Sequence, residues 1–486
     1  MEAVAIVAFW SIVAWTLSRP AHALIYLFFA SLPFGSFAAV PTSATGGLTL
    51  TPTTVAALLL IARRLGSARG LARALDAALT PSTALLLTLF WAVAGIATLF
   101  MPRFFAGRVP VVNVALAEVM TLRPTAQNVS QFVYISISVL VVLAFADLLR
   151  TASARRHALH ALCLGAEVAV VTGFVDFLSQ YLPMEGLLDP LRTANYALLT
   201  TDEILDSKRV VGLMPEASSF GCLVLAFLVS LYFFRRAMPA GRVRERVVPA
   251  LMGALLLLGW LSTSSAAYLG LGAFGAVAVA HWCRRALAPG RDADLRHGLA
   301  RELAWSVAVL WVLALAGIAR PGLFDPIARM LDTMVLQKTA TASYEERSMW
   351  TRVSWEALMA THGMGVGLGG TRASNSAVAL ASNAGLAGAA CYFLFVFQCL
   401  FLRRVARADA QGRALRSALR WSFVPSFLAS LTIGSTSDFG VFNAFLYALS
   451  IALARPMAPE PVRTPRPAAS IAGPSPAPPH GSPRLG

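Results

Sequence analysis

The stretch VVPALMGALLLLGWLSTSSAAYLGLGAFGAVAVAHWC (residues 247–283) contains no Asp, Glu, Lys or Arg. As one helix it would run about 55 Å, against a hydrocarbon core of about 30 Å. Its polar interruption is STSSA (262–266). The stretch therefore reads as a hairpin of two membrane spans, 247–263 and 266–282, turning at 264–265.

The rest of the chain follows the same pattern. Of 486 residues, 57% are hydrophobic and 13% charged, about half the charged share of a soluble domain. Apolar runs long enough to cross a bilayer recur throughout. Thirteen spans are predicted, near 2–17, 23–40, 47–62, 82–101, 130–149, 158–178, 216–234, 247–263, 266–282, 303–319, 378–402, 421–436 and 439–455, with twelve or fourteen as neighbouring counts. The fold class expected is all-α, a polytopic helical membrane protein forming a single domain over 1–455. EAVAIVAFWSIVAWTL (2–17) precedes a small-residue AHA, as in a cleavable leader, but it opens on Glu2 without a basic segment. It is read as the first span. The Pro-rich tail 456–486 is expected to be disordered and cytoplasmic.

The net charge of +16 is distributed as a membrane topology signal. Basic residues cluster in RRLGSARGLAR (63–73), RTASARR (150–156), RRAMPAGRVRER (235–246) and RRVARADAQGRALR (403–416). Alternating spans place the loops 63–81, 150–157, 235–246, 283–302 and 403–420 on one side, the cytoplasm by the positive-inside rule. The N-terminus is then periplasmic and the C-terminus cytoplasmic. No basic segment carries interleaved aromatics for base stacking, so nucleic acid is not an expected partner. The five cysteines form no C-x-x-C pair and read as small buried apolar residues. No internal repeat is visible, which weighs against transporters built from inverted repeats.

Two predicted outer loops are long, 179–215 and 320–377. Loops of that length usually carry function. The first ends in RVVGLMPEASSFG (209–221), which sets Arg209 seven residues before Glu216 at the mouth of a span. Glu216 has two readings. After Pro215 it suits the positive end of a helix dipole. In a water-filled outer cleft it would suit general-base work. The second loop contains Trp350, Val353 and Ala357 at helical spacing, so 345–360 reads as an amphipathic helix on the membrane surface. Arg347 and Arg352 are then headgroup anchors or anion ligands. GMGVGLGGTR (363–372) follows no strand and lacks the P-loop Lys-Ser/Thr, which removes nucleotide-binding readings. It is expected to be a flexible turn whose backbone N–H groups can approach phosphate oxygens, with Arg372 and Ser374 beside it. His362 precedes the turn. Glu167 and Asp176 are acids within one span, and Asp176 lies near its outer end.

Taken in order, RVVGLMPEASSFG, LSTSSAAYLGLGAFG, the arginine–tryptophan loop, GMGVGLGGTRAS and SNAGLAG resemble the O-antigen ligase and polymerase superfamily. Within it, the exopolysaccharide and capsule polymerases of the Wzy-like and ExoQ-like kind are most similar. The resemblance covers about 205–390. It implies a glycosyltransferase C-like membrane enzyme acting on polyprenyl-diphosphate-linked oligosaccharides at the outer face of the bacterial inner membrane. Its partners would be the lipid-linked repeat unit, the growing polysaccharide chain, membrane lipids, and a chain-length regulator or export machinery. The family's arginine–tryptophan pair falls on Arg347/Trp350 or Arg352/Trp355. The ligase branch usually has a histidine after the glycine turn, where this chain has Arg372, Ala373, Ser374, Asn375 and Ser376.

The residues suit that chemistry. Arg209, Arg347, Arg352 and Arg372 would hold the diphosphate and the charge that develops on it. Glu216 would take the acceptor proton. His362, Asp176 and Ser374 are secondary candidates. The reaction requires no cofactor and no dedicated metal site. The alternatives are ligase-type transfer to another acceptor and transport of lipid-linked sugars.

Overall fold

The computed structural model describes residues 2–41, 44–45, 49–114, 116–182, 186–196, 198–200, 203–204, 207–287, 298–320, 332, 342–406 and 409–458. Almost all of the tail read as disordered, and 321–331 and 333–341 of the second long loop, lie outside the described residues.

The helices in chain order are α1 (Glu2–Leu17), α2 (Ala23–Ser31), α3 (Pro52–Leu65), α4 (Ala68–Leu79), α5 (Leu85–Phe104), α6 (Ala126–Leu148), α7 (Ala152–Leu178), α8 (Ala217–Phe234), α9 (Val248–Leu261), α10 (Ser265–Ala286), α11 (Leu299–Ala319), α12 (Ala342–Ala360), α13 (Ser376–Phe397), α14 (Ala410–Ile433) and α15 (Gly440–Ala454). An antiparallel pair, β1 (Pro110–Val112) and β2 (Val119–Thr121), lies between α5 and α6, with Val111 opposite Met120. Among the described residues, α5, α6, α7, α8, α10 and α13 are long and apolar enough to cross a bilayer, and α1 and α15 are shorter apolar helices. The chain is an all-α membrane protein.

The hairpin is present. Ser264 caps α10 by accepting a bond from the Ala267 amide at 3.4 Å, and Thr263 takes φ 45° at the turn. Each of the thirteen predicted spans overlaps a helix, but α2, α3, α9, α11 and α14 are not among the helices long and apolar enough to cross a bilayer, and several ends differ. The segment 23–40 stays helical only to Ser31. Pro33 follows, and residues 32–40 instead pair across the fold, Ser36 N to Leu213 O and Ala39 N to Leu50 O. The helices α7 and α14 begin well inside segments read as basic loops, and α4 lies wholly within one. Polar helical turns are invisible to a hydropathy window.

An aromatic cluster of Phe28, Phe29, Phe145, Phe227, Phe442 and Phe445 joins α2, α6, α8 and α15 through edge-to-face contacts of 4.9–6.2 Å. The basic loops meet at one end of the bundle. Asp147 accepts from Arg64 and Arg73, Arg455 pairs with Asp76, and Arg155 pairs with Asp409. Gln411 reaches the Ala237 carbonyl, and Arg235 reaches Glu302. That shared end is the one predicted from charge.

Candidate functional site

The opposite end gathers most of the singled-out residues. The segment 209–216 is held there by Asp176. This carboxylate is fully buried, and its Oδ2 accepts the Val211 and Gly212 amides at 2.7 and 3.0 Å. Its Oδ1 accepts from Arg192 at 2.8 Å, with Lys208 Nζ 3.6 Å away. Both oxygens are thus engaged within the protein. Asp176 positions the strap that leads to Glu216. Arg192, a basic residue in the same outer loop, is the partner that sequence reasoning missed. Glu167 is exposed on the outer surface of α7, so it does not pair inside the bundle.

Glu216 stands at the N-cap of α8 but does not cap it. Pro215 precedes the helix instead of occupying its first turn. The Glu216 Oε1 accepts from the Ser218 hydroxyl and, at 3.4 Å, from Ser219. Among the described residues no donor is recorded at Oε2, and the side chain is half-buried. Arg209 docks on the hairpin turn, with Nε 3.1 Å from Thr263 Oγ1 and an Nη 3.2 Å from the Thr263 carbonyl, beside Tyr268. The hairpin therefore anchors the arginine that precedes Glu216.

The helix α12 turns Trp350, Val353, Ser354, Ala357 and Leu358 inward and Arg352, Trp355, Glu356 and Met359 outward. The predicted amphipathic face is borne out, and it packs on β1 and on α13. Arg372 lies over the Trp350 ring at 4.2 Å, a cation–π contact. One of its Nη atoms is 3.4 Å from the Val114 carbonyl. The Arg372 Nε and the Trp350 Nε1 are buried and have no acceptor among the described residues. Burial holds the Arg372 pKa below the ordinary arginine value. Glu216 opposes that shift, Arg347 adds to it, and Glu346 opposes it. Glu216, Arg347 and Arg372 therefore share one electrostatic neighbourhood.

The two arginine–tryptophan pairs differ accordingly. Trp350 is buried beneath Arg372, whereas Trp355 is exposed, and Arg352 reaches only Glu356, at 4.0 Å. Arg352 is not brought to the group. His362 is exposed at the far end of α12 with φ 52°. Ten helical residues, about 15 Å of rise, separate Trp350 from Ala360 just before it, so His362 also lies apart. Ser374 is held next to α12, its amide donating to Thr351 Oγ1 at 3.2 Å.

The glycine turn differs from its expected role as a phosphate cradle. Its amides are bonded within the protein: Gly365 to Thr361 Oγ1, Val366 to Ser382 O, Gly367 to Asn383 O, Leu368 to Thr98 Oγ1, and Gly370 to Asn383 Oδ1. The helix α13 is broken at Gly385, φ 75° and ψ 169°. The turn fills that break, taking up the Ser382 and Asn383 carbonyls while Gly363 O receives the Leu386 amide. Gly365 and Gly367 both have φ near 80°, and a Cβ at Gly365 would lie 2.6 Å from the Gly385 nitrogen. The segment is a packed strap that satisfies a broken membrane helix. An asparagine inside the apolar run 378–402, Asn383, was the available signal.

No protein-family model and no curated protein matches this chain.

Proposed function

We propose that the protein is a polysaccharide polymerase that joins polyprenyl-diphosphate-linked oligosaccharide repeat units at the outer face of the inner membrane, with the Arg372–Trp350–Glu216 end as its site. One observation carries this reading. Two adjacent buried N–H donors, one cationic, lack an acceptor among the described residues at the end opposite the basic loops, and a carboxylate lies within electrostatic reach. Buried donors are normally satisfied, so an anionic oxygen ligand completes them.

In the reaction, an acceptor sugar hydroxyl attacks the anomeric carbon of the donor. The C1–O bond to phosphate breaks, and polyprenyl diphosphate leaves with the electron pair. Arg372 and Arg347 stabilise the charge on the departing diphosphate. Glu216, oriented by Ser218 and Ser219, accepts the hydroxyl proton. Arg209 and Asp176 hold the strap that places it.

The test uses purified protein in a bilayer, supplied with the polyprenyl-diphosphate-linked repeat unit and EDTA but no nucleotide sugar. A ladder of rising length, with polyprenyl diphosphate released, is the expected result. No ladder from a folded preparation given the right repeat unit would overturn the polymerase reading. A ladder that survives Glu216→Gln would overturn the base assignment.

A further inference from the structure

The basic end holds a second charged constellation, independent of the site above. Glu302, in the first turn of α11, is surrounded by three guanidinium groups. Its Oε1 accepts from Arg235 at 2.6 Å and Arg236 at 2.7 Å, and its Oε2 from Arg285 at 2.7 Å. Arg285 is 1% exposed, so the cluster reaches into the protein from the ends of α8 and α10. Next to it, Arg301 and Arg244 share Glu245, at 2.7 and 3.4 Å. Arg284 lies 5.5 Å from the Trp421 ring centre. Among the described residues, six arginines here face two carboxylates.

Pairing to Glu302 engages one nitrogen each of Arg235 and Arg236, and each guanidinium carries five N–H donors. His281 adds another polar group. It is 6% exposed, its ring packs on Phe233 and Trp421, and its Nδ1 has no partner among the described residues. It lies within electrostatic reach of Arg236, Arg284, Arg285 and Glu302. Along α10, Val279, Cys283 and Leu287 are successively one turn apart and exposed. They form an apolar stripe beside Arg284. A cationic cluster at the ends of α8 and α10, bordered by an apolar stripe, matches a ligand with a phosphate head and a hydrocarbon tail.

We propose that the arginine cluster around Glu302 is a phosphate-binding site at the membrane boundary, filled by the headgroup of an anionic phospholipid. The excess guanidinium charge takes the phosphate oxygens, and the α10 stripe runs along an acyl chain. Glu302 holds the arginines in place and is also the anion with which the phosphate competes.

The test is native mass spectrometry of delipidated protein titrated with phosphatidylglycerol or phosphatidylcholine. Wild type is expected to retain phosphatidylglycerol preferentially. The Arg235→Gln/Arg236→Gln double variant should lose roughly thirtyfold in that preference. Glu302→Gln should strengthen retention, a result that a purely structural ion cluster would not give. Arg347→Gln/Arg352→Gln, with the same charge change at the other end, should leave retention unchanged. A parallel arm adds inorganic phosphate. If phosphate leaves retention untouched, the lipid is the source. If it displaces phosphatidylglycerol, free phosphate shares the site and the phosphate chemistry stands. Equal retention of both lipids, or a preference that survives the double variant, would overturn the proposal. If the double variant does not fold, exposed Arg284→Gln and Glu302→Gln carry the same test.

Discussion

At the basic end, Arg155 donates to Asp409 and to the Leu149 and Ala452 carbonyls, and Arg403 donates to the Ser82 and Thr83 carbonyls, Ser450 and Gln398. At the other end, Arg372 rests on Trp350 with its Nε buried and unanswered. Both kinds of arginine are taken from water. The first kind, Arg155 and Arg403, has every guanidinium nitrogen bonded and ties loops together, although Arg64, Arg150 and Arg416 at the same end each keep a buried Nε without an acceptor among the described residues. The second keeps an unmet donor, which costs about 1–3 kcal/mol unless a ligand supplies the oxygen. A fully bonded arginine stabilises the fold, whereas an under-bonded one in a packed aromatic seat is poised to bind.

The sharpest way to break this comparison is to exchange the side chain at 372. Arg372→Ala should lower chain elongation by about 10²–10³-fold while the protein remains folded by thermal melting. Arg372→Lys keeps a charge but loses the planar fork and much of the ring stacking, so it should recover little activity. An elongation rate within twofold of wild type for Arg372→Ala would place the chemistry elsewhere.

Next in size are changes to the scaffold beneath the site. Asp176→Asn leaves Arg192 and Lys208 facing a neutral group at a fully buried position. Breaking a buried pair this way costs about 3–5 kcal/mol. A lower melting temperature together with reduced elongation is expected. An unchanged melting temperature would show that Asp176 does not hold the 209–216 strap. Gly365→Ala should cost about 1–3 kcal/mol from backbone strain alone, before the contact with Gly385 is counted. Hydrogen exchange should then rise at Ser382–Leu386, where the strap fills the break in α13. No change in exchange there would mean that the strap does not satisfy the broken helix.

How far the sequence could be read follows from the range of the interactions involved. The hairpin, predicted to turn at 264–265 and turning at 262–264, and the inward face Trp350–Val353–Ala357 rest on local sequence pattern, so they were legible. The role of GMGVGLGG was not. Beyond the local partner Thr361, its amides bond to Thr98, Ser382 and Asn383, brought together only by the fold. The same holds for Asp176, whose partners lie at 192, 208, 211 and 212. A lone acid in an apolar helix signals a buried pairing or a function, and only the location of its partners decides between them. Short polar helices such as α4 carry no hydropathy signal.

The smallest expected effect concerns the arginine–tryptophan pairs, which the sequence left equivalent. In the structure, Trp350 is buried below Arg372, and Arg347 lies in the same electrostatic neighbourhood. Trp355 is exposed, and Arg352 meets Glu356 only at 4.0 Å. An exposed i,i+4 pair contributes little, and substitutions at such positions usually stay within about 0.5 kcal/mol. Arg352→Ala should therefore leave the melting temperature within a few degrees, and elongation within about twofold, of wild type. Arg347→Ala should lower elongation measurably, because it removes a cation from the Arg372 neighbourhood. The informative quantity is the ratio between the two variants, measured in one elongation assay. If Arg352→Ala lost more activity than Arg347→Ala, the donor would bind along the outward face of α12, and the Trp350–Arg372 seat would be a packing feature only.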